Sequence, residues 1–441
     1  MKTYSKLLGF FASVLLLGLF TIPSLAAEKP VASNEPAAKV SDLPAAPNLS
    51  KQVLPSAPTY GSAVGTAIVP KPSVNDTKPM VAPAPPEVQG KGYILLDADS
   101  GYVIAENNAD ERAAPASLTK LMTMYVISGM LNTKRISLDD QVLVSEKAWR
   151  TGGSRMFIQV GTHVPVKDLV NGIIVASGND ACVAMSEHVA GSEESFVGLM
   201  NQAAQHLGMT GTHYSDSTGL PDPDNYTTPR DQSILTRAII QHYPQDYSWY
   251  KQKEIVYNNI KQPNRNLLLW RDPSVDGLKT GFTDDAGYCL VASAKREDMR
   301  LIAIVMGSPS TQQRSKDVQA LLNYGFRFYK TSKLYEGGTT LKTLPVWFGK
   351  EPNIALGVQQ SFYVTVPVGS FDKLKATISV DPSLEAPIVK GQAYGEIKVM
   401  LGEEVVSAQP LIALEDNPEA GFISRTFDRV KLFISNLIGI G

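Results

Sequence analysis

A serine and a lysine stand three residues apart in PASLTK, at Ser117 and Lys120, and the apolar run LMTMYVIS follows them. Leu121, Met122, Tyr125 and Val126 recur three and four apart, the spacing of a helix burying one face. Ser117 therefore stands where that helix begins, the place of an N-cap whose hydroxyl accepts a first-turn N–H. Lys120 is harder to place. Three residues after a capping serine, glutamate or glutamine completes a capping box, whereas a cation there faces the positive end of the helix dipole. The helix start and the apolar surroundings both disfavour a charged amine. A lysine that is neutral near pH 7 can take the proton of a hydroxyl on the same face of the turn. Ser117 and Lys120 thus read as nucleophile and base, and the N–H groups of the helix start can receive a developing oxyanion.

S-x-x-K alone is a weak signal; it recurs at Ser248–Lys251 and Ser370–Lys373, where no strongly apolar helix follows. Ser177–Gly178–Asn179 lies between two apolar helical runs. A hydroxyl and an amide there could bridge a substrate amide and pass a proton to its leaving nitrogen, although SGND is also an ordinary turn and helix cap. Lys279–Thr280–Gly281 ends a strand-like run. Its cation and hydroxyl could hold a carboxylate, and its glycine could let a ligand backbone come close. It could equally be a plain strand end.

The elements that must carry these groups follow from periodicity. YILLDADSGYVIAENN reads as a hairpin, and LVNGIIVASGNDACVAMSEHVAG as one or two apolar helices. VDGLKTGFTDDAGYCLVASAKREDMRLIAIVMGS gives three strands, and SKDVQALLNYGFRFYK a helix with Val318, Leu321, Leu322 and Phe326 on one face. Together they describe one sheet with helices against it, an α+β or mixed α/β domain over residues 88–332. Residues 333–416 are short, β-branched and partly alternating, a small all-β domain.

The ends of the chain carry other information. Lys2, Lys6, the apolar stretch Leu7–Phe20 and the small residues of SLA at Ser24–Ala26 make residues 1–26 a secretory signal peptide rather than a spanning anchor. Residues 27–87 hold twelve prolines and no sustained periodicity, and read as a disordered tether. In GFISRTFDRVKLFISNLIGIG, Ile423, Phe427, Val430, Ile434, Leu437 and Ile438 share one helical face, with Arg425, Arg429 and Lys431 off it. Residues 417–441 therefore suit an amphipathic helix lying in a membrane surface; docking on the β-domain is the alternative.

Composition excludes several classes. Of 441 residues, 41 are basic and 43 acidic, which gives no excess of positive charge for nucleic acid. The five histidines are scattered without H-E-x-x-H or another paired ligand spacing, so neither metal nor cofactor is expected. The elbow G-x-S-x-G is absent. Cys182 and Cys289 sit in apolar stretches and read as buried free thiols, although export would permit a disulfide.

The order S-x-x-K, S-x-N, K-T-G is far more specific than any one motif, and marks serine β-lactamases and penicillin-binding proteins. PASLTK, SGNDACVAM, VDGLKTG, AGY-LVASA, PVWFG and the amphipathic tail together resemble the low-molecular-mass D-alanyl-D-alanine carboxypeptidases, over residue 88 to the C-terminus. The resemblance implies a serine β-lactamase/transpeptidase-like domain and a penicillin-sensitive acyl-enzyme mechanism on peptidoglycan stem peptides. Ser117 would attack the penultimate D-alanine carbonyl with Lys120 as base. Ser177 and Asn179 would relay protons and position substrate, and Lys279 and Thr280 would bind the terminal carboxylate beside Gly281. The N–H groups of Ser117 and Phe282 would form the oxyanion hole, and Arg314 would help orient the carboxylate. Phe282 departs from the histidine frequent after K-T-G in this family, which bears on deacylation and pH dependence. The implied location is the periplasmic side of the inner membrane, held peripherally by the tail. A β-lactamase shares the three motifs, but no E-x-x-L-N-like segment lies between Ser177 and Lys279. A non-catalytic wall-binding or shape-maintaining protein would not need Ser117, Lys120 and Lys279 intact.

Overall fold

The computed structural model describes residues 63–67 and 82–438 apart from 382. The expected signal peptide and most of the expected tether lie outside them.

Five strands form an antiparallel sheet: β1 (Gly92–Asp97), β2 (Val103–Asn107), β3 (Val275–Thr283), β4 (Gly287–Arg296) and β5 (Met299–Ser308), in the order β2-β1-β5-β4-β3. The hairpin β1–β2 turns where Asp97 accepts the N–H groups of Asp99 and Ser100 and Gly101 takes φ +74°. Alternation gives the sheet two buried faces. Ile94, Leu96, Ile302 and Ile304 join the larger core, while Leu95, Leu301, Ala303 and Val305 meet Val318, Leu321 and Leu322 of the helix Thr311–Phe328. Phe326, on the same face, is half-buried beneath the Arg296 guanidinium at 4.4 Å.

On the other face lie α1 (Thr119–Asn132), α2 (Asn179–Ala190), α3 (Glu193–Leu207) and α4 (Pro229–His242), with Thr311–Phe328 as α5 across the sheet. The spacing in α1 predicts one buried face, but every residue from Thr119 to Met130 is buried. The helix is wrapped by α2, α3 and α4, and its side chains are apolar or small nearly all round, the composition of a core helix. Lys120 is thereby carried into the core. The α5 helix begins earlier than its apolar run, because the Ser310 hydroxyl accepts the Gln313 N–H.

After Phe328 the chain enters an all-β domain. Tyr329–Tyr335 pairs with Phe362–Pro367, and a seven-stranded sheet packs around Leu356, Val358, Phe362, Val364, Ile397 and Leu411. One strand of that sheet comes from the stretch expected to be a structureless tether: Ala63–Ala67 pairs antiparallel with Ala376–Val380. AVGTA is a proline-free interval long enough to add to an open edge. The two domains meet at a buried polar knot, in which Thr331 Oγ1 donates to Asp97 Oδ2 at 2.7 Å and Ser100 Oγ lies 2.6 Å from Thr365 Oγ1.

The C-terminal helix, α6 (Phe422–Ile438), touches the β-domain where the Phe348 N–H donates to Asp428. Phe422, Ile423, Phe427 and Val430 are nonetheless exposed, between 52% and 76%. No helix among the described residues is long and apolar enough to cross a membrane.

Candidate active site

Ser117 lies in a single 3-10 turn, Ala116–Leu118, that leads into α1, and its hydroxyl caps nothing. It accepts instead from Lys120 Nζ at 3.1 Å. The amine also donates to Asn179 Oδ1 at 2.7 Å and to the Thr218 carbonyl at 2.5 Å. Lys120 is 1% exposed. Burial pulls its pKa below the usual lysine value, and the charges of Asp216 and Asp180 offset this only in part. Burial thus favours loss of a proton from this amine, the step that must precede its taking one from the Ser117 hydroxyl.

The turn is set by two uncommon backbone conformations. Ala116 has φ +46° and Gly219 φ +83°. A Cβ on Gly219 would lie 1.8 Å from the Ala116 carbonyl oxygen, so only glycine lets the loop 216–220 reach the nucleophile turn. Asp216 holds that loop: its carboxylate accepts Thr218 N at 2.5 Å, Thr218 Oγ1 and Gly219 N at 2.6 Å each, and Asn225 Nδ2 at 3.1 Å.

Ser177 follows a π-helical turn, Gly172–Ala176, and itself adopts φ +59°. Its hydroxyl accepts from Lys279 Nζ at 2.9 Å, and Lys279 also donates to the Thr280 carbonyl at 3.1 Å. Asn179 opens α2 and donates from Nδ2 to the Gly152 carbonyl at 2.7 Å. The neighbouring Asp180 accepts the N–H groups of Met156, Phe157 and Ile158, clamping that loop against the site. Lys279 is 3% exposed, and burial together with the Lys120 and Arg265 charges holds its pKa well below the lysine value.

Strand β3, which carries Lys279, Thr280 and Gly281, is the edge of the sheet. The space beside Gly281 is taken by the protein itself: a Cβ there would meet the Pro115 carbonyl at 3.2 Å and the Ala116 Cβ at 3.3 Å. The glycine brings the strand against the Ser117 turn. Phe282 is half-exposed and packs on Tyr288 at 4.3 Å between centroids. Arg314 lies within α5, 4% exposed, and donates to the Gly281 and Cys289 carbonyls at 3.0 and 3.3 Å. It braces the paired ends of β3 and β4, and burial lowers its pKa to about 10.

The structure thus brings Ser117, Lys120, Ser177, Asn179, Lys279 and Thr280 to one place. The other two S-x-x-K pairs do not resemble it; Lys251 and Lys373 are exposed. Sequence reasoning missed Asp216, Gly219 and Asp180, whose only signals were the turn residues of SDSTG and SGND. Cys182 and Cys289 are free and buried, their thiols pushed up to about 12 and about 11 by desolvation.

Comparison with known proteins agrees with this geometry. Residues 79–310 match the D-alanyl-D-alanine carboxypeptidase family, and residues 329–419 match the C-terminal domain of penicillin-binding protein 5. The chain belongs to the D-alanyl-D-alanine carboxypeptidase family. It is 44% identical to D-alanyl-D-alanine carboxypeptidase DacC of Escherichia coli, over 79% of this chain and 89% of the relative. It is 42% identical to DacA of the same organism, over 81% and 91%. Among solved structures, penicillin-binding protein 5 from Haemophilus influenzae superposes with a TM-score of 0.72 at 39% identity, covering 76% of this chain and 99% of that one. Penicillin-binding protein D2 from Listeria monocytogenes, solved with ampicillin bound, gives a TM-score of 0.51 at 27% identity, over 55% of this chain and 100% of the other. The chain is thus a serine peptidase of this family, and its transpeptidase-like domain and all-β domain are those the sequence motifs predict.

Proposed function

We propose that Ser117 removes the terminal D-alanine of peptidoglycan stem peptides through an acyl-enzyme. The observation that carries this reading is Lys120 Nζ, buried and 3.1 Å from Ser117 Oγ. Ser117 Oγ attacks the penultimate D-alanine carbonyl as its proton passes to Lys120. The N–H groups of Ser117 and Phe282 receive the oxyanion. The C–N bond then breaks, and the departing amine takes a proton relayed by Lys120 and Ser177. Lys279 and Thr280 hold the carboxylate of the leaving residue, while Asn179, fixed between Lys120 and Gly152, positions the scissile amide. Water then attacks the ester, gives its proton to the same relay, and frees the shortened peptide and Ser117. Gly281 and Arg314 serve by setting the line of β3.

β-Lactams offer the same carbonyl and carboxylate, and occupation of a structural relative by ampicillin supports their binding here. The chain would act outside the cytoplasm after removal of residues 1–26, on the periplasmic face of the inner membrane, with the apolar side of α6 against the lipid.

Incubation with a fluorescent penicillin and with a pentapeptide ending in D-alanyl-D-alanine tests the reading. The expected result is a long-lived label and released D-alanine, both abolished by Ser117→Ala. Rapid penicillin hydrolysis without D-alanine release would mark a β-lactamase instead, and neither signal would mark a binding protein.

A further inference from the structure

The seven-stranded sheet of the β-domain ends differently on its two sides. One side closes with Leu384–Glu385, two residues long and too short to recruit another strand. The other carries Leu374–Val380, in which Leu374, Ala376, Ile378 and Val380 are buried and alternate with the more accessible Lys375, Thr377 and Ser379. Among the described residues, the outer side of this strand pairs with Ala63–Ala67 alone, from Ala63 opposite Val380 to Ala67 opposite Ala376. Leu374 and Lys375 lie beyond that ladder.

The covering strand is weak in composition and strong in connection. Its sequence, AVGTA, is mostly alanine and glycine, which are depleted in strands. Residues 68–81 join it to a fixed point, since the Pro83 carbonyl accepts the Tyr324 hydroxyl at 2.7 Å. A covalent link of that length supplies an effective concentration on the order of 1 mM, enough to seat a segment that would bind poorly from solution. Without that segment, Leu374–Val380 complements itself. Antiparallel pairing about Thr377 sets Leu374 opposite Val380, Ala376 opposite Ile378 and Lys375 opposite Ser379. Buried positions then meet buried positions, and no like charges face each other. Just past the strand ends, the same register brings Lys373 of one copy to Asp381 of the other. Such a contact is isologous, with its two-fold axis at Thr377, and its ladder is longer than the one the covering strand makes.

We propose that Leu374–Val380 is a docking edge for a second copy of this chain, and that residues 63–67 are its blocker in cis. With the blocker seated, the edge is closed and the chain does not self-associate through it. An event that draws residues 63–67 away opens the edge, and two β-domains join into one continuous sheet. The stretch ahead of the peptidase domain thus controls an interface on the β-domain, a role separate from the chemistry at Ser117.

The test uses the full chain and sedimentation equilibrium. Replacing Val64, Gly65 and Thr66 together by proline removes the N–H donors of the blocker and leaves both domain cores untouched. The expected dissociation constant of the dimer is at least about tenfold lower in this variant than in the parent, by the loss of the intramolecular competitor. Thr377→Lys, added to the proline variant, sets like charges face to face across the two-fold axis and should restore the monomer. Thr377→Cys in the proline variant should give a disulfide-linked dimer on oxidation, and far less of it with the parent blocker, because Cys182 and Cys289 are buried. A peptide of residues 60–70 at about 1 mM should reverse the association. A proline variant no more associated than the parent would overturn the proposal. So would a dimer that Thr377→Lys leaves intact, which would place the contact elsewhere, or a parent dimer that the prolines abolish, which would mean that copies exchange residues 63–67 instead.

Discussion

Gly219→Ala isolates the contact between the loop and the nucleophile turn. The new Cβ would stand 1.8 Å from the Ala116 carbonyl oxygen and 2.4 Å from its carbon, whereas real Cβ atoms essentially never approach within 3.0 Å. Loop and turn must separate by more than 1 Å, because the obstructing atoms are backbone. The φ of +83° adds about 1–2 kcal/mol for any side chain. A domain of ordinary stability, about 5–15 kcal/mol, stays folded under that load. The displacement falls on the residue before Ser117 and on the neighbour of Thr218, whose carbonyl holds Lys120. A shift of about 1 Å in reacting groups costs about 10²-fold in rate. Single-turnover D-alanine release should therefore fall about a hundredfold, with a melting temperature only a few degrees lower. Gly198→Ala is the control: it lies in α3 with open space beside it, and should raise stability by up to about 1 kcal/mol at unchanged rate. A Gly219→Ala enzyme within threefold of the parent rate would refute this account of how the nucleophile is placed.

Three further outcomes follow from the same geometry. Lys120→Arg puts a permanent cation where a proton acceptor is required, so acylation should fall by about 10²–10⁴-fold; stopped-flow labelling with a fluorescent penicillin measures it, and a loss below tenfold would count against Lys120 as base. In the parent, kcat/KM should fall as pH drops through the Lys120 pKa, which burial sets below the lysine value of 10.5; Asp216→Asn removes a negative charge that raises that pKa, so the acidic limb should move to lower pH while kcat falls with the loosened loop, and a limb moving to higher pH would contradict it. Removal of residues 422–441 should abolish co-sedimentation with anionic vesicles and leave D-alanine release from soluble peptide unchanged; vesicle binding that survives the truncation would exclude α6 as the anchor.

How legible the site was depends on what kind of force places each residue. The hairpin, the three later strands and α1 follow from apolar periods that the sequence displays, and the three motifs carry the reactive groups. Asp216 and Gly219 were not legible, because what makes them matter is a contact across the fold. Asp216 reads as a turn residue; its weight comes from presenting the Thr218 carbonyl to Lys120. Gly219 reads as loop flexibility; its weight comes from the Ala116 carbonyl it admits. Gly281 also acts through such a contact, since its missing side chain makes room for Pro115 and Ala116. Local spacing predicts the residues that react, whereas long-range packing decides which glycines and carboxylates hold them.

The cost of that holding explains the lysine at the start of α1. Two amines are buried in one site: burial lowers the affinity of both for a proton, and the Lys120 charge lowers that of Lys279 further. Their folded pKa values lie below 10.5, so the folded chain binds fewer protons than the unfolded chain between those values and 10.5. Stability therefore rises with pH through that window, and at neutral pH the fold bears a penalty that an apolar side chain would not bring. The core of α1 supplies the offset, with Leu121, Met122, Val126 and Ile127 each 0% exposed on the same helix, at about 1.5–3 kcal/mol per large side chain. A strongly apolar helix is thus the condition for keeping an amine dry enough to act as a base, and for this reason Ser117–Lys120 can do chemistry that Ser248–Lys251 and Ser370–Lys373 cannot.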